Sequence, residues 1–323
     1  MANPPFGNTL NQLAIGKSKP FTEQVDNITE NAPIVKIMPF NQSSDQLWDV
    51  SSALTSINAS VSNLDLNSPL PEIEITDGLR RSELSIFGAQ LFVPHDTALL
   101  EGGADKYFGK NRKSFERQTG MDVEMQYVYN AFLPFALQMK KEGHDTMFDA
   151  GGTNNANYSL LVVRFEDSNF CGLYSPICFK RDTFLQMFPV NGGNLYAQSA
   201  TGHKYYNVLG YGLAMKTYMG VRMLSWKNIC AIVNIDLSES TPFTARMVDS
   251  ALLEARVGEA GKTVIMCHPK VKLWLQEIGK VQRLETTFGD RAVNHEIDTW
   301  NGVPIVTSYN FMDGSETNIT VPA

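Results

Sequence analysis

The sequence predicts an α+β fold in which a long helix leads into a strand-rich region and then into a shorter α/β region. Three observations carry this prediction. Apolar residues recur with helical spacing through residues 121–139, strand-like segments fill residues 148–236, and helical and strand patterns alternate after Asp236. A chain of 323 residues, 43% hydrophobic and 19% charged, is long and apolar enough to bury a substantial core.

Charge and targeting signals narrow the class of protein. The formal net charge is −7, which argues against a general nucleic-acid binder, since such a protein needs a basic footprint. The amino terminus lacks the basic start and apolar core of a secretory signal, and no run of eighteen apolar residues occurs. A cytoplasmic protein with reduced thiols is therefore expected. The thiols are Cys171, Cys178, Cys230 and Cys267.

The first 45 residues are polar and rich in asparagine, with prolines at positions 4, 5, 20, 33 and 39. Because little apolar periodicity is visible, residues 1–45 are predicted to be an extended arm rather than a domain. The apolar residues 34–40 are expected to dock on another surface, of this chain or of a neighbouring subunit.

Residues 46–80 favour a two-stranded ribbon. Apolar and polar residues alternate twice, at Ile57, Ala59 and Val61 and then at Ile73 and Ile75 among Glu72, Glu74 and Asp77. A ribbon of two half-polar strands is marginal alone in water and so needs a partner surface. Two alternatives stay open. One is a helix through Leu54, Ile57, Val61 and Leu64, and the other is a mobile surface loop.

A buried strand and a long helix follow. Residues 82–93 alternate enough for a buried strand, closed by Pro94. From about residue 104 to 142 the pattern is helical, and Gly120 and Pro134 are each expected to bend or interrupt it. The predicted apolar face consists of Met121, Met125, Val128, Phe132, Phe135 and Met139. We therefore predict one kinked helix, or two in series, ending near Gly143.

A basic run precedes that apolar face. Its members are Lys106, Lys110, Arg112, Lys113 and Arg117. A solvated helix face accounts for this run slightly better than a contact surface does. A helix of this length with a polar first half suits a rod that lies along a flat subunit.

Strand-like segments dominate residues 148–236. Residues 158–165 (YSLLVVRF) are predicted to form a strand, and residues 228–235 (NICAIVNI) a strand buried on both faces. Glycine and proline are expected to divide the intervening chain into short segments. They stand at Gly172, Pro176, Gly192, Gly193, Gly202, Gly210, Gly212 and Gly220.

The last part of the chain reads as α/β. Thr241 is predicted to cap a helix that begins at Pro242 and runs to about Val257. Its inward residues would be Val248, Leu252 and Ala255. A second helix would open at Pro269 and carry Val271, Trp274, Leu275 and Ile278, and short strands are predicted at residues 262–267 and 303–307.

Two glycine motifs resemble nucleotide-binding loops, but each lacks a residue that such a loop requires. Gly210-Tyr211-Gly212 lacks the third glycine of a dinucleotide loop and is interpreted as a strand-end turn. Gly151-Gly152 could offer backbone amides to an anion, but no P-loop lysine follows, so a turn before a strand is favoured.

The spacing of the histidines, cysteines and acidic residues matches no catalytic or metal-binding motif. The five histidines form no HExxH motif, and adjacent Cys267 and His268 would point to opposite faces of a strand. Cys171 and Cys178 lack the second pair that a zinc site needs. The acidic residues Glu72, Glu74 and Asp77 are interpreted as solvated, with a divalent metal as the weaker alternative. The sequence thus predicts no catalytic residue, no metal and no cofactor.

A series of motifs begins at residues 149–153 (DAGGT). It continues with Leu160 to Val163, Gly172-Leu-Tyr-Ser-Pro176, Gly192-Gly193 with Tyr196, Tyr211-Gly212-Leu213, residues 228–236 (NICAIVNID) and Gly302-Val-Pro-Ile305. In order and spacing, over about residues 100–310, these motifs resemble the major capsid proteins of short-tailed and related tailed bacteriophages.

The resemblance implies the Hong Kong 97-type capsid fold. On that plan residues 1–45 are the N-terminal arm and 46–81 the extended E-loop. Residues 82–236 are the peripheral domain, with a spine helix at about 104–142 and an elaborated β region. Residues 237–323 are the axial domain and the C-terminal return.

The same resemblance implies a coat protein, not an enzyme, that self-assembles as hexamers and pentamers into an icosahedral head. Such a head encloses double-stranded DNA without sequence-specific binding, works with portal and with scaffolding or decoration proteins, and contacts no membrane. Assembly would occur in the bacterial cytoplasm, and the protein would reside in the virion. An encapsulin-like compartment and an enzyme or binding domain of another type are the alternatives.

Contacts between subunits are expected at the ribbon and at the basic helix. The candidates are Trp48, Glu72, Ile73, Glu74, Ile75, Arg80, Arg81, Lys110, Arg112 and Lys113.

Overall fold

A computed structural model of the chain describes residues 32–58, 74–153, 155–177, 186–199, 207–238, 242–283 and 299–322. These residues form two six-stranded sheets, one two-stranded ribbon and a long helix that packs against one of the sheets. The mixture of helices and sheets confirms the predicted α+β class.

The strands are β1 (Phe40–Gln42), β2 (Trp48–Asn58), β3 (Glu74–Glu83), β4 (Ser85–Pro94), β5 (Met147–Asp149), β6 (Tyr158–Phe165), β7 (Phe170–Tyr174), β8 (Gln186–Pro189), β9 (Tyr196–Ser199), β10 (Asn207–Met223), β11 (Ile229–Ile235), β12 (Lys262–Cys267), β13 (Thr299–Trp300) and β14 (Val303–Thr307). The α-helices are α1 (Pro33–Ile37), α2 (His95–Leu100), α3 (Ala104–Gln126), α4 (Leu133–Lys141), α5 (Ala245–Glu254) and α6 (Pro269–Arg283). A π-helical segment, Tyr127–Phe132, joins α3 to α4, and 3-10 turns cover Val190–Gly193 and Trp226–Asn228.

The core lies on both faces of the sheet ordered β13-β14-β12-β6-β11-β5. Every residue of β6 and of β11 is buried, which confirms the two strands predicted from their apolar runs. Successive β6 side chains alternate between two apolar clusters. Leu161 and Val163 face the cluster that includes the long helix, whereas Leu160 and Val162 face the cluster of α5 and α6. The sheet is therefore a layer between helices.

The long helix runs without a break from Ala104 to Lys141 through the π-helical segment. This segment immediately precedes Pro134, which has no amide hydrogen and whose ring would crowd the carbonyl four residues earlier in an α-helix. A wider π turn relieves that conflict. Gly120 does not interrupt the helix. An added Cβ there would lie 3.3 Å from the Ala32 side chain, so the glycine allows close approach of the N-terminal segment.

The predicted apolar face of this helix is wrong in its first half. Met125 is 39% exposed, whereas Val123 and Glu124 are buried. Val128, Phe132 and Met139 are buried as predicted. The π-helical segment holds more residues per turn than the 3.6 that the sequence pattern assumed, so the buried face is shifted by about one residue upstream of it.

The second sheet is organised around β10, which pairs with β4, β7, β8 and β9. β4 is a largely exposed edge strand rather than the buried strand predicted at residues 82–93, and Val93 is its one buried position. Gly210 and Gly212 lie inside β10 rather than in a strand-end turn. An added Cβ at either position would overlap Phe92 or Tyr196, so these glycines allow aromatic rings to cross the strand.

The apolar stretch 34–40 docks on its own chain. Ile34 is fully buried in the same apolar cluster as Phe132, and β1 pairs in parallel with β7. Of the predicted arm, residues 1–31 lie outside the described residues.

The first helix of the α/β part begins three residues later than predicted. Thr244 is the N-cap and accepts a hydrogen bond from the Met247 amide, so the helix starts at Ala245 rather than at Pro242. Val248, Leu252 and Ala255 are buried, as predicted. The predicted strands at residues 262–267 and 303–307 and the helix at Pro269 are also present.

Candidate assembly surfaces

The ribbon of β2 and β3 is an antiparallel pair with a bulge between Leu54 and Ser56. Its described part confirms the predicted ribbon and excludes the helix considered for residues 54–64 as far as Asn58. The register places Ile75 opposite Ile57 and Glu74 opposite Asn58. Glu72 and Ile73 lie outside the described residues.

One face of the ribbon is apolar and cationic. The Arg81 guanidinium lies 4.5 Å from the centre of the Trp48 ring, a cation–π contact, and 3.6 Å from a Glu83 carboxylate oxygen. Val50 and Leu79 stand beside this pair and are 47% and 80% exposed. Exposed apolar groups that cluster around a cation form the kind of surface that binds another protein.

The base of the ribbon is fixed to β10 by a buried ion pair. Both the Nε and the Nη2 of Arg222 reach Oδ2 of Asp49, at 2.9 and 2.7 Å. Burial acts to raise the pKa of Asp49, but hydrogen bonds from Ser51, Ser44 and Arg222 outweigh it and hold that pKa below its ordinary value. The direction in which the ribbon leaves the sheet is therefore set by a specific contact.

A groove of about 530 Å³ opens where the ribbon base meets the long helix. Arg80 and Arg81 form one wall, and the helix supplies Gln126 and Asn130 on the other. Partly buried apolar side chains line it as well, among them Phe87, Phe135 and Met223. The sequence did not indicate this groove, because its walls come from three separate stretches of the chain.

The basic candidates of the long helix lie on the exposed half of α3. Arg112 pairs with Glu116 at 2.8 Å, and Lys110 lies 3.8 Å from Glu101. Lys113 is exposed. Two of the three cations thus have acidic neighbours within their own subunit, and among the described residues none of the three pairs with the ribbon.

The backbone amides of residues 150–152, in the turn at residues 149–153, already donate hydrogen bonds within the chain and so are not free to bind an anion. The amides of Ala150 and Gly152 donate to the carbonyls of Val233 and Asn234, each at 2.9 Å, and the Gly151 amide donates to Asp149. An added Cβ at Gly152 would lie 2.5 Å from the Asn234 oxygen. The motif is a turn locked against the end of β11, in agreement with the favoured interpretation.

Comparisons with known structures agree with this architecture. A chain of the near-atomic cryo-EM structure of bacteriophage Epsilon15 superposes with a TM-score of 0.64 at 14% identity, covering 96% of this chain and 97% of that one. A chain of the bacteriophage JBD30 capsid gives 0.50 at 10% identity, covering 92% and 98%. The chain has a Hong Kong 97-type fold. The holo-SrpI encapsulin complex of Synechococcus elongatus gives a weaker likeness, with a TM-score of 0.45 at 10% identity over 75% of this chain and 99% of that one.

Sequence comparisons give no further assignment. No protein-family model matches the chain, and no curated protein matches it. The likeness is one of fold, and it extends over nearly the whole length of both the chain and its Epsilon15 counterpart.

Within this Hong Kong 97-type fold, the described residues contain no group of three or more His, Cys, Asp or Glu side chains that could hold a metal ion. Cys267 ends β12 in the core, and burial raises its pKa to about 12. His268 follows it and accepts a hydrogen bond from the Lys270 amide, as a helix-start residue does. Cys178 lies outside the described residues. Among the described helices, none is long and apolar enough to cross a membrane.

Two acidic residues, Glu124 and Glu316, are buried, and the sequence did not predict their burial. Glu124 accepts hydrogen bonds from the Ile34 amide at 2.9 Å, from Asn310 Nδ2 at 2.9 Å and from the Ser308 hydroxyl. Burial raises its pKa, and these hydrogen bonds offset the effect only in part. It therefore joins the N-terminal segment and the C-terminal part of the chain to the long helix. A single acidic residue in a helix gives no sequence signal for this role.

Glu316 plays the corresponding part near the C-terminus. It accepts hydrogen bonds from the hydroxyls of Tyr129 and Ser159, and burial raises its pKa. The Tyr129 oxygen also accepts from the Met312 amide at 2.8 Å. The long helix thus holds both ends of the described chain through polar contacts that the core encloses.

Proposed function

We propose that this protein is the major capsid protein of a tailed bacteriophage, a structural protein that assembles into an icosahedral shell around double-stranded DNA. The ribbon is the observation that carries the proposal. It is a two-stranded sheet whose outer face, with Leu79 80% exposed, receives from the described part of the chain no apolar cover of the kind that such a ribbon needs. The likeness of fold to a chain of the JBD30 capsid supports the same conclusion.

Assembly proceeds in this proposal by the sum of many weak contacts. The ribbon acts as the E-loop and the segment before Ala32 as the arm, and each packs on a neighbouring subunit. Once one contact forms, the others become intramolecular, so that their effective concentration rises steeply. The ribbon contributes to the contact between subunits through Trp48, Ile73, Ile75 and Arg81. The long helix contributes a second, weaker contact through Lys110, Arg112 and Lys113.

The shell would consist of hexamers and pentamers and would include a portal. Scaffolding or decoration proteins would assist it, and assembly would take place in the cytoplasm of the bacterial host before the virion is complete. The net charge of −7 accords with an enclosing role, because a protein of net negative charge is not attracted to packaged DNA by its overall charge. The protein would have no catalytic role and would need no cofactor.

Negative-stain electron microscopy of the expressed protein tests the proposal. Uniform closed particles are expected from the wild type, and a stable monomer at every concentration would contradict it. The contents of the particles distinguish a phage head from an encapsulin-like compartment, since protein cargo in place of nucleic acid would favour the latter.

The ribbon's role is tested by two substitutions at one position. Leu79→Asp places a charge on the exposed apolar face and should prevent particle formation, whereas Leu79→Met keeps the apolar area and should permit it. The double variant Ile73→Asp/Ile75→Asp should behave like Leu79→Asp while its monomer stays folded. Normal particles from Leu79→Asp and from the double variant would remove the ribbon from the interface.

A further inference from the structure

Two asparagines of this chain are followed directly by glycine, in the pairs Asn191-Gly192 and Asn301-Gly302. Such a pair is chemically labile, because glycine has no side chain to hinder the attack of its own backbone nitrogen on the preceding carboxamide. Both pairs lie in exposed turns, and in both the asparagine and the glycine have positive φ. The two pairs are therefore alike in sequence and in backbone conformation, and they differ in their tertiary contacts.

The carboxamide of Asn301 is held by a charged partner. Its Nδ2 donates a hydrogen bond to Oδ1 of Asp249 at 2.8 Å, and Nε1 of Trp300 donates to the same oxygen at 2.8 Å. Hydrogen bonds to a carboxylate are stronger than those to a neutral acceptor. Trp300 also pairs with Val303 across the turn, so a strand ladder closes this two-residue turn. Reorientation of the Asn301 side chain or main chain must break these contacts.

Asn191 has weaker restraints. Its Nδ2 donates a hydrogen bond to the neutral carbonyl of Leu195 at 3.2 Å, and its own carbonyl accepts one from the Asn194 amide at 3.1 Å. The turn that contains Asn191 joins β8 to β9, and each of these strands pairs with β10. Movement of the Asn191 main chain therefore leaves the pairing of both strands with β10 in place.

We propose that Asn191 is a site of spontaneous deamidation in the folded protein, and that Asp249 protects Asn301 from the same reaction. The backbone nitrogen of Gly192 loses its proton to solvent and forms a bond to Cγ of Asn191. The bond from Cγ to Nδ2 breaks, and Nδ2 takes up a proton and leaves as ammonia. Water then opens the resulting succinimide ring at either of its two carbonyl carbons, which gives aspartate or isoaspartate.

The reaction adds a negative charge to the turn between β8 and β9, and the isoaspartate product also lengthens the main chain of that turn by a carbon atom. Because β8 and β9 are each anchored on β10, the modified protein is expected to keep its fold. The inference goes beyond the proposed function and does not rest on it, since the reaction takes place within a single chain.

Peptide mass spectrometry of the purified full-length protein, incubated in mildly alkaline buffer, tests the proposal. The converted fraction of Asn191 should rise with time, and both aspartate and isoaspartate should form. Conversion of Asn301 should be about tenfold slower or more, because a hydrogen bond to a carboxylate must break before its ring can close. In urea the two pairs should react at similar rates, which would show that the difference comes from the fold.

Substitutions at the two sites supply the controls. Asn191→Gln should abolish conversion at this position, because the longer side chain would have to close a larger and less favoured ring. Asp249→Ala should raise the conversion rate of Asn301 by about tenfold or more. Trp300→Phe removes the other hydrogen bond to Asp249 and keeps that of Asn301, so it should leave Asn301 protected. Circular dichroism and the thermal midpoint show whether each variant is folded.

Three results would overturn the inference. The first is a native protein in which Asn191 stays unconverted while the sample in urea reacts. The second is an equal rate of conversion at Asn191 and Asn301 in the native protein. The third is a folded Asp249→Ala variant in which Asn301 stays protected. Equal exposure of Asn301 to the reaction in folded Trp300→Phe would contradict the role of Asp249 and assign the protection to the turn as a whole.

Discussion

The carboxylate of Asp49 and the guanidinium of Arg222 form a buried ion pair between the first residues of the ribbon and the end of the central strand of the second sheet. The two groups are 173 residues apart in the chain, and the Asp49 side chain is 2% exposed. The pair therefore fixes the base of the ribbon relative to the second sheet.

Replacing Arg222 by Met should destabilise the fold by about 3 kcal/mol, because it leaves the Asp49 carboxylate buried without its cation. Chemical denaturation measures the loss. The double variant Asp49→Asn/Arg222→Met serves as the control and should recover part of it, since no uncompensated charge remains. Equal stability of Arg222→Met and wild type would show that the pair does not fix the ribbon base.

The same pair gives an acid-sensitive contribution to stability. The pKa of Asp49 is lowered in the folded chain, so its contribution is present above the unfolded pKa and is lost as pH falls through the folded pKa. The free-energy difference between wild type and Asp49→Asn should accordingly shrink on acidification. Urea denaturation over pH 3 to 7 measures it, and a difference that grows towards low pH would contradict the assignment.

Glu124 should titrate in the opposite sense. Burial raises its pKa, so its contribution is fully present below the unfolded pKa and is lost as pH rises through the folded pKa. The stability of the wild type relative to Glu124→Gln should therefore decline as pH rises above the ordinary carboxyl range. Glu316 is shifted in the same direction and is common to both proteins, so the difference between them isolates Glu124.

Two tyrosines in the π-helical segment should respond oppositely to loss of their hydroxyls. The Tyr127 hydroxyl is buried with no hydrogen-bond partner among the described residues, so Tyr127→Phe should raise stability by about 1 kcal/mol. Tyr129→Phe should lower it by ~1–3 kcal/mol, because the Glu316 carboxylate and the Met312 amide lose their shared partner. Thermal unfolding measures the stability of both variants, and a similar loss of stability in each would contradict the prediction.

Two glycines of α3 provide a further matched pair. Gly109→Ala meets no atom within 4 Å and should stabilise the helix by ~0.5–1 kcal/mol through its better helix propensity. Gly120→Ala brings a methyl group to 3.3 Å from Ala32 and should lose most of that gain. If both variants gain equally in thermal midpoint, Ala32 does not pack where the structure places it.

Local sequence patterns correctly predicted those elements whose apolar residues lie close together in the chain. The largely apolar runs of β6 and β11 predicted buried strands, and the helical spacing of apolar residues 121–139 predicted a helix there. The ribbon followed from alternation, and its need for a partner followed from having two strands.

Predictions failed where a distant part of the chain decides the local geometry. Gly210 and Gly212 look like turn residues until Phe92 and Tyr196 are seen to cross β10 above them. Residues 82–93 alternate like a buried strand, yet β4 lies at the edge of its sheet. The groove and the Asp49–Arg222 pair depend on tertiary contacts between segments far apart in the chain, which no single stretch of sequence encodes.

The π-helical segment Tyr127–Phe132 gives the long helix a place where its length can vary. A π turn holds about one residue more than the α turn that it replaces, at nearly the same pitch. Loss of one exposed residue there, such as Asn130, would replace the π turn by an α turn and keep the two buried halves in phase, while it would restore the conflict between Pro134 and the carbonyl four residues earlier. A deletion of one residue, which elsewhere in a helix would rotate everything beyond it, is thus absorbed at this point.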